Sequence, residues 1–380
     1  MKRPIKIVFA GGGTGGHVYP ALAVSDALRE LIGDFEALFI GTRTGLEATV
    51  VPEASYQVRF IHARGFRGRG VVHKVLTLAG IAVGVLQALW IVAAFRPDLV
   101  FGAGGYASAA VVLAASFLRK TIVLQEQNSV PGMTNRMLAS RAARIYLGFE
   151  RAARTFGDHP GLVVTGNPLR RSILSDVEGD PREAFGLGGR GPVLLVFGGS
   201  QGSHSLNHAA VDFFLRRPTV EGIMQTGRRD YGWVRDRLRD AGGRVFVSQY
   251  ISNIHVAYRA ADVALARAGA LSVSELSAVG LPSILVPYPH AADDHQVLNA
   301  GVLVEAGGAV MIRDDELSGE TLDTAFSAVL DDPQRLPLMR EALSTVARRD
   351  AAGRIAGDIC ALLGVPVDRA GAREDHGGGC

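Results

Sequence analysis

The chain has 380 residues, of which 48% are hydrophobic and 7% aromatic, and 47 are glycine. A chain of this length can hold two domains, and abundant glycine with few aromatic residues is typical of α/β proteins with many tight turns. Cys360 and Cys380 are the only cysteines, which argues against a disulfide framework or a thiolate metal site. Met1 to Arg3 lead directly into an apolar strand, so we expect no signal peptide and a reducing, cytoplasmic environment.

Charge is divided unevenly along the chain. Residues 1–170 hold 19 of the 40 Lys and Arg residues but 10 of the 37 Asp and Glu residues, a net charge of +9, whereas residues 171–380 carry −6. A basic N-terminal half indicates an anionic partner, such as a nucleic acid, a membrane surface or a pyrophosphate. The alternative interpretation is that these charges belong to a solvated surface that binds no partner.

Strand-like apolar runs alternate with helix-like runs, which predicts parallel sheets covered by helices on both faces. In the first half we predict strands at 5–10, 35–40, 98–102, 121–125 and 143–147, with helices at 18–31, 71–94, 106–118 and 132–140. The second half begins with a strand at 193–197 and continues with strands near 221–226, 244–248, 262–266, 283–287 and 308–312. Helices at 318–330, 335–347 and 351–363 are predicted to close the chain.

This alternation predicts an α/β fold of two domains. The stretch 166–192 is rich in Gly, Pro and charged residues and is predicted to link them. We therefore place an N-terminal domain at residues 1–165, rejoined by the C-terminal helix 350–364, and a second domain at residues 166–349. The polar, glycine-rich tail at residues 365–380 is predicted to be disordered.

Residues 75–95 form an uncharged apolar run that is long enough to cross a bilayer. Three interpretations stay open: a membrane span, a buried helix, and a helix with one end facing a membrane. A span would place the two sides of one sheet on opposite sides of the membrane, because the next sheet strand follows immediately. The run is preceded by the basic residues Arg64, Arg67, Arg69, His73 and Lys74. Basic residues beside exposed apolar ones favour contact with an anionic leaflet.

Two glycine-rich turns, Gly11–His17 and Gly198–His204, each follow an apolar strand and precede a helix-like run. Glycines let the backbone approach a ligand, and the helix N-terminus offers free N–H groups to phosphate oxygens. Two such turns predict two Rossmann-like domains facing each other across a cleft, which suits joining a nucleotide-activated group to a second substrate. A turn that only packs a helix onto a sheet would have a similar sequence.

The first turn alone also fits the dinucleotide fingerprint Gly11-x-Gly13-x-x-Gly16. Enzymes that bind NAD usually carry an acidic residue at the end of the second strand to hold the ribose, and the segment from Phe39 to Arg43 has none. Arg43 would instead meet a 2′-phosphate. An NADP-dependent oxidoreductase is therefore an alternative, although it leaves the second turn unexplained.

His17 lies at a predicted helix N-terminus, where the imidazolium form is disfavoured and the neutral ring can accept a proton. It is the candidate general base for a sugar hydroxyl, or else a residue that only orients that hydroxyl. Glu275 is able to accept hydrogen bonds from both hydroxyls of a ribose, or it is a solvated residue of a helix face. The Asp and His residues between His290 and Gln296 fit no zinc or calcium spacing, so we predict no metal site.

Seven segments, in their order and spacing, resemble those of the MurG-type glycosyltransferases, which add N-acetylglucosamine to lipid I in peptidoglycan synthesis. The resemblance covers residues 5–363. Its segments are Gly12–His17, Gly104–Tyr106, Glu126–Asn128, Gly166–Arg170, Gly198–Gly202, Arg267–Glu275 and His290–Asn299. Two positions depart from the pattern: His295 stands where some members carry a second glutamine, and Ala268 where some carry serine.

The resemblance implies a GT-B fold, in which two Rossmann-like domains face each other, and an inverting transfer that uses no metal or other cofactor. The implied donor is UDP-N-acetylglucosamine, held mainly by the C-terminal half. The implied acceptor is undecaprenyl-pyrophosphoryl-MurNAc-pentapeptide (lipid I), met by the N-terminal half at the cytoplasmic face of the plasma (inner) membrane. The anionic partner would then be a lipid pyrophosphate and the membrane surface rather than a nucleic acid. A complex of cell-wall synthesis proteins is a further expected partner.

The resemblance also implies roles for individual residues. The donor sugar and the side facing the acceptor are assigned to Thr14, Gly15, Gly16 and Asn128, and the UDP moiety to Arg170 and Ser200. Uracil and ribose are assigned to Ile251, Ala270, Leu271, Ser272, Val273, Ser274 and Glu275, and the sugar hydroxyls to Gln296. On the acceptor side, the resemblance makes His17 the expected base and Tyr106 an expected contact. Arg67 and Lys74 are expected acceptor contacts because they belong to the basic stretch before the apolar run.

Two other rivals remain at this point. A related GT-B glycosyltransferase with another lipid acceptor, such as a diacylglycerol galactosyltransferase, would share the donor site. A nucleotide-sugar-binding subunit without catalysis would share the fold but lack turnover.

Overall fold

The computed structural model describes residues 3–63, 71–189, 191–239 and 243–366, and these form two parallel sheets flanked by helices. The first sheet comprises β1 (Ile5–Ala10), β2 (Phe35–Gly41), β3 (Gln57–Phe60), β4 (Leu99–Gly102), β5 (Thr121–Glu126), β6 (Arg144–Leu147) and β7 (Leu162–Val164). Its helices are α1 (Gly15–Ile32), α2 (Glu47–Glu53), α3 (Val71–Phe95), α4 (Gly105–Phe117), α5 (Met133–Leu138) and α6 (Ala153–Phe156).

The second sheet is built from the later strands of the chain. It comprises β8 (Val193–Phe197), β9 (Glu221–Gln225), β10 (Val245–Ser248), β11 (Val263–Ala266), β12 (Ser283–Leu285) and β13 (Ala309–Met311). The remaining helices are α7 (Arg171–Leu174), α8 (His204–Arg216), α9 (Gly227–Arg237), α10 (Ile254–Ala260), α11 (Ala270–Val279), α12 (His295–Ala306), α13 (Gly319–Leu330), α14 (Arg335–Val346) and α15 (Ala351–Leu362).

The strand order is β3-β2-β1-β4-β5-β6-β7 in the first sheet and β10-β9-β8-β11-β12-β13 in the second. Every described pairing is parallel. The order reverses between β1 and β4, and again between β8 and β11. In open α/β sheets ligands bind beyond the carboxyl ends of the strands at such a reversal. Both glycine-rich turns lie there, because one follows β1 and the other follows β8. The predicted two-domain α/β fold is confirmed.

Both sheets are buried on each face, as parallel sheets require. Phe9 of β1 stacks on Phe39 of β2 with ring centroids 5.0 Å apart, and Phe101 of β4 lies 5.4 Å from Phe9. In the second sheet all five residues of β8 are buried. The central strands therefore read as continuous apolar runs, which is why their positions could be predicted from the sequence.

The sequence-based prediction omitted the two edge strands β3 and β7 and the helix α2, and it gave no bounds for the helices α6 to α12. The edge strand β3 alternates polar and apolar residues, and the edge strand β7 is apolar but only three residues long, so neither contains an apolar run of ordinary strand length. The helix α2 has only seven residues and contains Pro52. Short, half-solvated elements depend on their neighbours for stability, and their local sequence is a weak signal.

The C-terminal helix α15 packs against α1 of the first domain. Ile355 and Ile359 are fully buried in a cluster that includes Ile7 and Leu28. Asp358 of the same helix accepts hydrogen bonds from the Tyr146 hydroxyl at 2.9 Å and from Arg144 Nε at 3.1 Å. The chain thus returns to the first sheet after α14. The boundaries at 165 and 349 stay predictions.

The segment 166–189 is packed rather than free. Leu169, Ile173, Phe185 and Leu187 are buried in a core cluster together with Val193 and Leu195 of β8. The segment predicted as a linker therefore belongs to the core beneath the second sheet.

The apolar run forms α3, which packs against α4. No helix among the described residues has the length and apolar character needed to cross a membrane. Arg64, Arg67 and Arg69 lie outside the described residues, as do the side chains of His73 and Lys74, and all but two residues of the predicted disordered tail.

Candidate active site

The carboxyl edges of the two sheets contact each other directly. Asn299 of α12 is fully buried, and its Oδ1 accepts a hydrogen bond from the Ser129 N–H at 2.9 Å. Its Nδ2 lies 3.3 Å from Asn128 Oδ1 and 3.2 Å from the carbonyl of Ala268. The loop after β5 in the first sheet is thus joined to the loop after β11 in the second by one amide side chain.

A second amide makes a similar connection. Asn167 Nδ2 donates to the Gln127 carbonyl at 3.0 Å and lies 3.0 Å from Ser274 Oγ of α11, while its Oδ1 accepts from Gln125 Nε2 at 3.0 Å. Asn167 therefore fixes the crossing segment between the strand-end loop of one sheet and the first turn of α11 in the other.

The first glycine-rich turn places His17 at the carboxyl edge of β1. His17 lies in the first turns of α1, which begins at Gly15, and its Nδ1 is 3.1 Å from the Gly12 carbonyl and 3.4 Å from Thr14 Oγ1. A carbonyl only accepts, so Nδ1 carries the proton and donates it to Gly12. The Nε2 lone pair is then free, as a general base requires.

The loop after β4 forms the opposite wall of the histidine pocket. A β-carbon at Gly104 would lie 3.1 Å from His17 Cδ2, and one at Gly105 would lie 3.3 Å from Nδ1. Glycine at these positions lets the backbone approach the imidazole face. Tyr106, the predicted acceptor contact, follows in the first turn of α4 and is 56% exposed.

The environment of His17 favours the neutral imidazole. Burial lowers the pKa of His17 below its ordinary value, and the Gly12 carbonyl and the carboxylates of Glu126 and Glu47 partly oppose that shift. The ring is therefore unprotonated at neutral pH and able to take a proton from an acceptor hydroxyl.

The first turn is held by a buried carboxylate that the sequence reasoning missed. Glu47 of α2 is 1% exposed. Its Oε2 accepts from the Gly13 N–H at 2.9 Å, and its Oε1 accepts from Thr42 N at 2.6 Å and Thr42 Oγ1 at 2.9 Å. Because both oxygens already bind the protein's own donors, this carboxylate does not serve the ribose of a dinucleotide. Its only sequence signal is a glutamate six residues beyond the end of β2, outside the segment from Phe39 to Arg43.

A second buried carboxylate shapes the loop that carries Asn128. Glu126 Oε1 accepts from the Asn128 N–H at 2.9 Å, and Oε2 accepts from the Gly132 N–H at 3.0 Å and from Asn135 Nδ2 at 2.9 Å. Asn128 is thereby held at the contact with Asn299, between the two sheets.

The second glycine-rich turn is open to solvent. Ser200 is exposed, and Gln225 Nε2 donates to the Gly199 carbonyl at 2.9 Å. Gln225 Oε1 accepts from the N–H of the buried Ile251 at 2.9 Å, so this glutamine connects the turn to the segment predicted to hold uracil. At the start of α8, Arg267 bonds Ser203 Oγ at 3.1 Å and Ser205 Oγ at 2.8 Å.

Glu275 is a buried residue of α11 rather than a solvated one. Its Oε2 accepts from the Tyr258 hydroxyl at 2.8 Å, and its Oε1 lies 3.7 Å from Arg170 Nη2. Burial raises the pKa of Glu275, and Arg170 and Tyr258 oppose that shift. Arg170 also lies 4.1 Å from the ring centre of Tyr19 on α1, so this pair too connects the two halves of the chain.

The predicted sugar contact Gln296 lies in the first turn of α12. Its Oε1 accepts from the Tyr288 N–H at 2.9 Å, which ties α12 to the turn after β12. Just before it, Asp293 forms a 3.0 Å ion pair with Arg136 of α5, and His295 Nδ1 is 2.7 Å from the Ala292 carbonyl. Within the described residues, no group of three or more His, Cys, Asp or Glu side chains is arranged to hold a metal ion.

The predicted site residues whose side chains are described fall into two groups, one in each domain. The first group lies on the first domain: Thr14, Gly15, Gly16, His17, Tyr106 and Asn128. The second lies around the second sheet: Arg170, Ser200, Ile251, Ala270, Leu271, Ser272, Val273, Ser274, Glu275 and Gln296. Sequence reasoning missed three residues of the site: Glu47, Tyr258 and Tyr19. Each lies beside a predicted site residue only because of the fold.

Two domain families match the chain. Residues 7–147 match the glycosyltransferase family 28 N-terminal domain, and residues 193–355 match the glycosyltransferase family 28 C-terminal domain. The two matches span most of the chain in the order that the two sheets follow.

Curated relatives match over nearly the whole length. A protein of Geobacter sulfurreducens named UDP-N-acetylglucosamine--N-acetylmuramyl-(pentapeptide) pyrophosphoryl-undecaprenol N-acetylglucosamine transferase is 40% identical over 94% of this chain and 98% of its own. A Salinibacter ruber protein of the same name is 42% identical over 94% of this chain and 96% of its own. Among solved structures, Acinetobacter baumannii MurG aligns with a TM-score of 0.72 at 26% identity, over 94% of this chain and 99% of that one.

Proposed function

The chain belongs to glycosyltransferase family 28, and from this membership and its active-site geometry we infer an N-acetylglucosaminyltransferase with the GT-B fold. It moves N-acetylglucosamine from UDP-N-acetylglucosamine to the 4-hydroxyl of MurNAc in undecaprenyl-pyrophosphoryl-MurNAc-pentapeptide (lipid I). The product is lipid II, the precursor of peptidoglycan. Through that product we expect the enzyme to support cell shape and cell division.

One observation carries this proposal: a neutral histidine and an open glycine-rich turn lie on two sheets whose carboxyl edges contact each other. His17 supplies a free Nε2 on the first sheet, and the Ser200 turn at the start of α8 supplies free N–H groups on the second. The bridging amide of Asn299 keeps these edges together. A donor on the second sheet and an acceptor on the first therefore meet between them.

The donor is proposed to bind on the second sheet. Uracil lies by Ile251, the ribose by Ala270–Glu275, and the pyrophosphate at the Ser200 turn. Glu275 is 8% exposed, and its Oε1 faces Arg170 at 3.7 Å, longer than a hydrogen bond. A ribose hydroxyl can therefore donate a hydrogen bond to Oε1 of Glu275. The Arg170 guanidinium is then able to turn toward a phosphate oxygen.

The remaining donor contacts surround the sugar. Gln296 and Asn128 reach its hydroxyls from the two domains, and Thr14, Gly15 and Gly16 line the side facing the acceptor. The acceptor is proposed to lie along Tyr106, with Arg67 and Lys74 nearer the membrane.

The transfer proceeds by one displacement. The acceptor 4-hydroxyl attacks C1 of the donor sugar as the bond from C1 to the UDP oxygen breaks, and His17 Nε2 takes the hydroxyl proton. Attack opposite to the leaving group inverts C1 and gives a β-1,4 bond. The charge that develops on UDP is stabilised by Arg170 and by the N–H groups at the start of α8, which are fixed before the reaction.

We further propose that the enzyme works as a peripheral protein on the cytoplasmic face of the inner membrane. Leu86 and Trp90, one turn apart on α3, are 65% and 75% exposed, and Phe117 at the end of α4 is 71% exposed. The exposed Arg119 follows Phe117. Apolar side chains beside a basic one suit insertion into an anionic leaflet. There the enzyme would meet its lipid substrate and a complex of cell-wall synthesis proteins.

The first experiment is calorimetric titration of the metal-free protein with UDP-N-acetylglucosamine, with UDP-glucose, UDP-galactose and NADPH as comparisons. We expect selective binding of the N-acetylated donor. Glu275→Ala should weaken it roughly ten- to hundredfold, because a charged hydrogen-bond partner contributes about 1.5–3 kcal/mol. Glu305→Ala, at an exposed position of α12, is the control and should bind normally.

The second experiment measures turnover with lipid I and with diacylglycerol as competing acceptors. Transfer to lipid I alone by the purified chain supports the proposal. Preference for diacylglycerol would favour the related lipid glycosyltransferase, and tight donor binding without turnover would favour a binding subunit. In the calorimetric titration, preference for NADPH over uridine nucleotides would favour the oxidoreductase.

A further inference from the structure

Two hydrogen bonds in the first glycine-rich turn lie on opposite sides of one peptide group. Glu47 Oε2 accepts from the Gly13 N–H at 2.9 Å. The carbonyl of the same peptide bond belongs to Gly12, and it lies 3.1 Å from His17 Nδ1. A carboxylate, a peptide and an imidazole therefore form one continuous chain of hydrogen bonds.

The position of Glu47 is built into the fold by three glycines. A β-carbon at Gly12 would lie 2.5 Å from Glu47 Oε1, one at Gly41 would lie 2.3 Å from Cγ, and one at Gly45 would lie 2.1 Å from Oε2. The loop after β1 and the turn after β2 thus close around this side chain. Gly13 has a φ of +89°, a conformation natural for glycine, and this sets the direction of its N–H.

We propose that Glu47 is the orienting carboxylate of His17 and acts through the Gly12–Gly13 peptide. The inference rests on the proposed role of His17 as general base. Glu47 polarises the peptide, so that the Gly12 carbonyl accepts more strongly from Nδ1–H. This fixes the tautomer with Nε2 free and stabilises the imidazolium that forms as the proton arrives. A carboxylate bonded directly to an imidazole plays the same part in serine hydrolases.

The charge of Glu47 is as important as its shape in this arrangement. The ionisable groups that act on the imidazole are Glu47 on α2 and Glu126 at the end of β5, and both raise the pKa of His17 against the effect of burial. The wall on the other side, Gly104 and Gly105, carries no charge. Removing the charge of Glu47 leaves Glu126 in place and makes His17 a weaker base.

The test compares Glu47→Gln with Glu53→Gln, the same change at an exposed position of α2. The Glu47 variant is expected to lower kcat roughly ten- to hundredfold, a range typical for loss of an orienting partner. Its acid limb in the kcat–pH profile should move to lower pH, because the pKa of His17 falls. Donor affinity by calorimetry should stay normal, and Glu53→Gln should match wild type. An unshifted acid limb in a folded Glu47→Gln enzyme contradicts the inference.

A double-mutant cycle separates action through His17 from general support of the loop. If Glu47 acts through His17, adding Glu47→Gln to His17→Ala should lower kcat by less than twofold further, because the effects of residues acting as a unit are not additive. A second loss as large as that in the wild-type background would mean that Glu47 supports the site in another way.

The last measurement reports on the wild-type chain, and a variant serves only to assign the signal. Nitrogen-15 NMR of the histidine rings, with His17 identified by its absence in His17→Ala, should find neutral His17 protonated on Nδ1. A proton on Nε2 would overturn the inference. Full turnover by His17→Ala would instead show that His17 is not the base, which contradicts the proposed function. If His17→Ala is inactive and Glu47→Gln has unchanged turnover, the inference about Glu47 is wrong while the role of His17 stands.

Discussion

At the scale of single residues, the site depends on polar side chains, buried or half-buried, that bond the protein's own groups. His17, Glu47 and Glu126 each bond backbone groups of a loop, and Glu275 is held by Tyr258 near Arg170. A buried charge without partners would cost several kcal/mol, so these contacts stabilise the loops as well as preparing the chemistry.

His17→Ala is expected to lower kcat by about a hundredfold to ten-thousandfold, the range of a general base. Donor affinity should change less than twofold, since the uridine nucleotide is proposed to bind on the other sheet. The measurement is steady-state transfer to lipid I, with the exposed His62→Ala as the control. Normal turnover in the His17 variant would mean that the base lies elsewhere.

The wild-type pH profile should also carry the signature of His17. A base acts only when it is unprotonated, so turnover is lost as the pH falls through the pKa of His17. Because burial lowers that pKa, the acid limb should lie below the ordinary histidine value of 6.5. A profile of kcat against pH measures it, and an acid limb above 6.5 that is absent in His17→Ala would contradict the argument.

At the scale of elements, the helices do more than cover the sheets. The N-termini of α1 and α8 lie at the glycine-rich turns, α11 carries the buried Glu275, and α15 fastens the end of the chain to the first domain. The exposed side of α3 and the end of α4 carry large apolar side chains, which other described helices mostly bury in the core.

Replacing Leu86 and Trp90 together by serine should weaken binding to vesicles containing anionic lipid by roughly tenfold or more, because about 1.5–3 kcal/mol is lost for each large side chain withdrawn from the bilayer. Co-sedimentation with vesicles measures the effect. Leu338→Ser, at a similarly exposed position on α14 (58% exposed), is the control and should bind as wild type. Activity on a water-soluble acceptor should stay normal in both. Unchanged vesicle binding by the double variant would refute this membrane surface.

At the scale of the whole molecule, a few polar side chains connect the carboxyl edges of the two sheets, where we propose the active site. Asn299 bonds groups on both sides, Asn167 links Gln127 to Ser274, and Arg136 pairs with Asp293. These contacts are polar and directional, so they help to fix how the domains meet.

Asn299→Ala should loosen this contact. The Ser129 N–H and the Ala268 carbonyl lose their partner, which should lower the free energy of unfolding by about 1–3 kcal/mol for each buried group left unpaired. The value of kcat should also fall, because Asn128 loses its contact with Asn299. Small-angle scattering should give a larger radius of gyration. Asn207→Ala is the matched control, since Asn207 is equally buried but bonds only within the second domain, to Thr226 and Asp230. It should lower the melting temperature without changing the radius of gyration, and the same radius in both variants would contradict the prediction.

The sequence by itself determined the two-domain α/β architecture, the positions of the central strands and both glycine-rich turns, because buried parallel strands are continuous apolar runs and glycines at strand ends are local signals. It also singled out His17 by its place at a helix start and Glu275 as a carboxylate able to accept from two ribose hydroxyls. Only the tertiary structure decided which groups surround them. Glu47 meets the Gly12–Gly13 peptide across 34 residues, Tyr258 reaches Glu275 from another helix, and Asn299 meets Ser129 across 170 residues. Such contacts depend on the order of the strands in each sheet and on how the two sheets meet. Neither property can be predicted from a local pattern of residues.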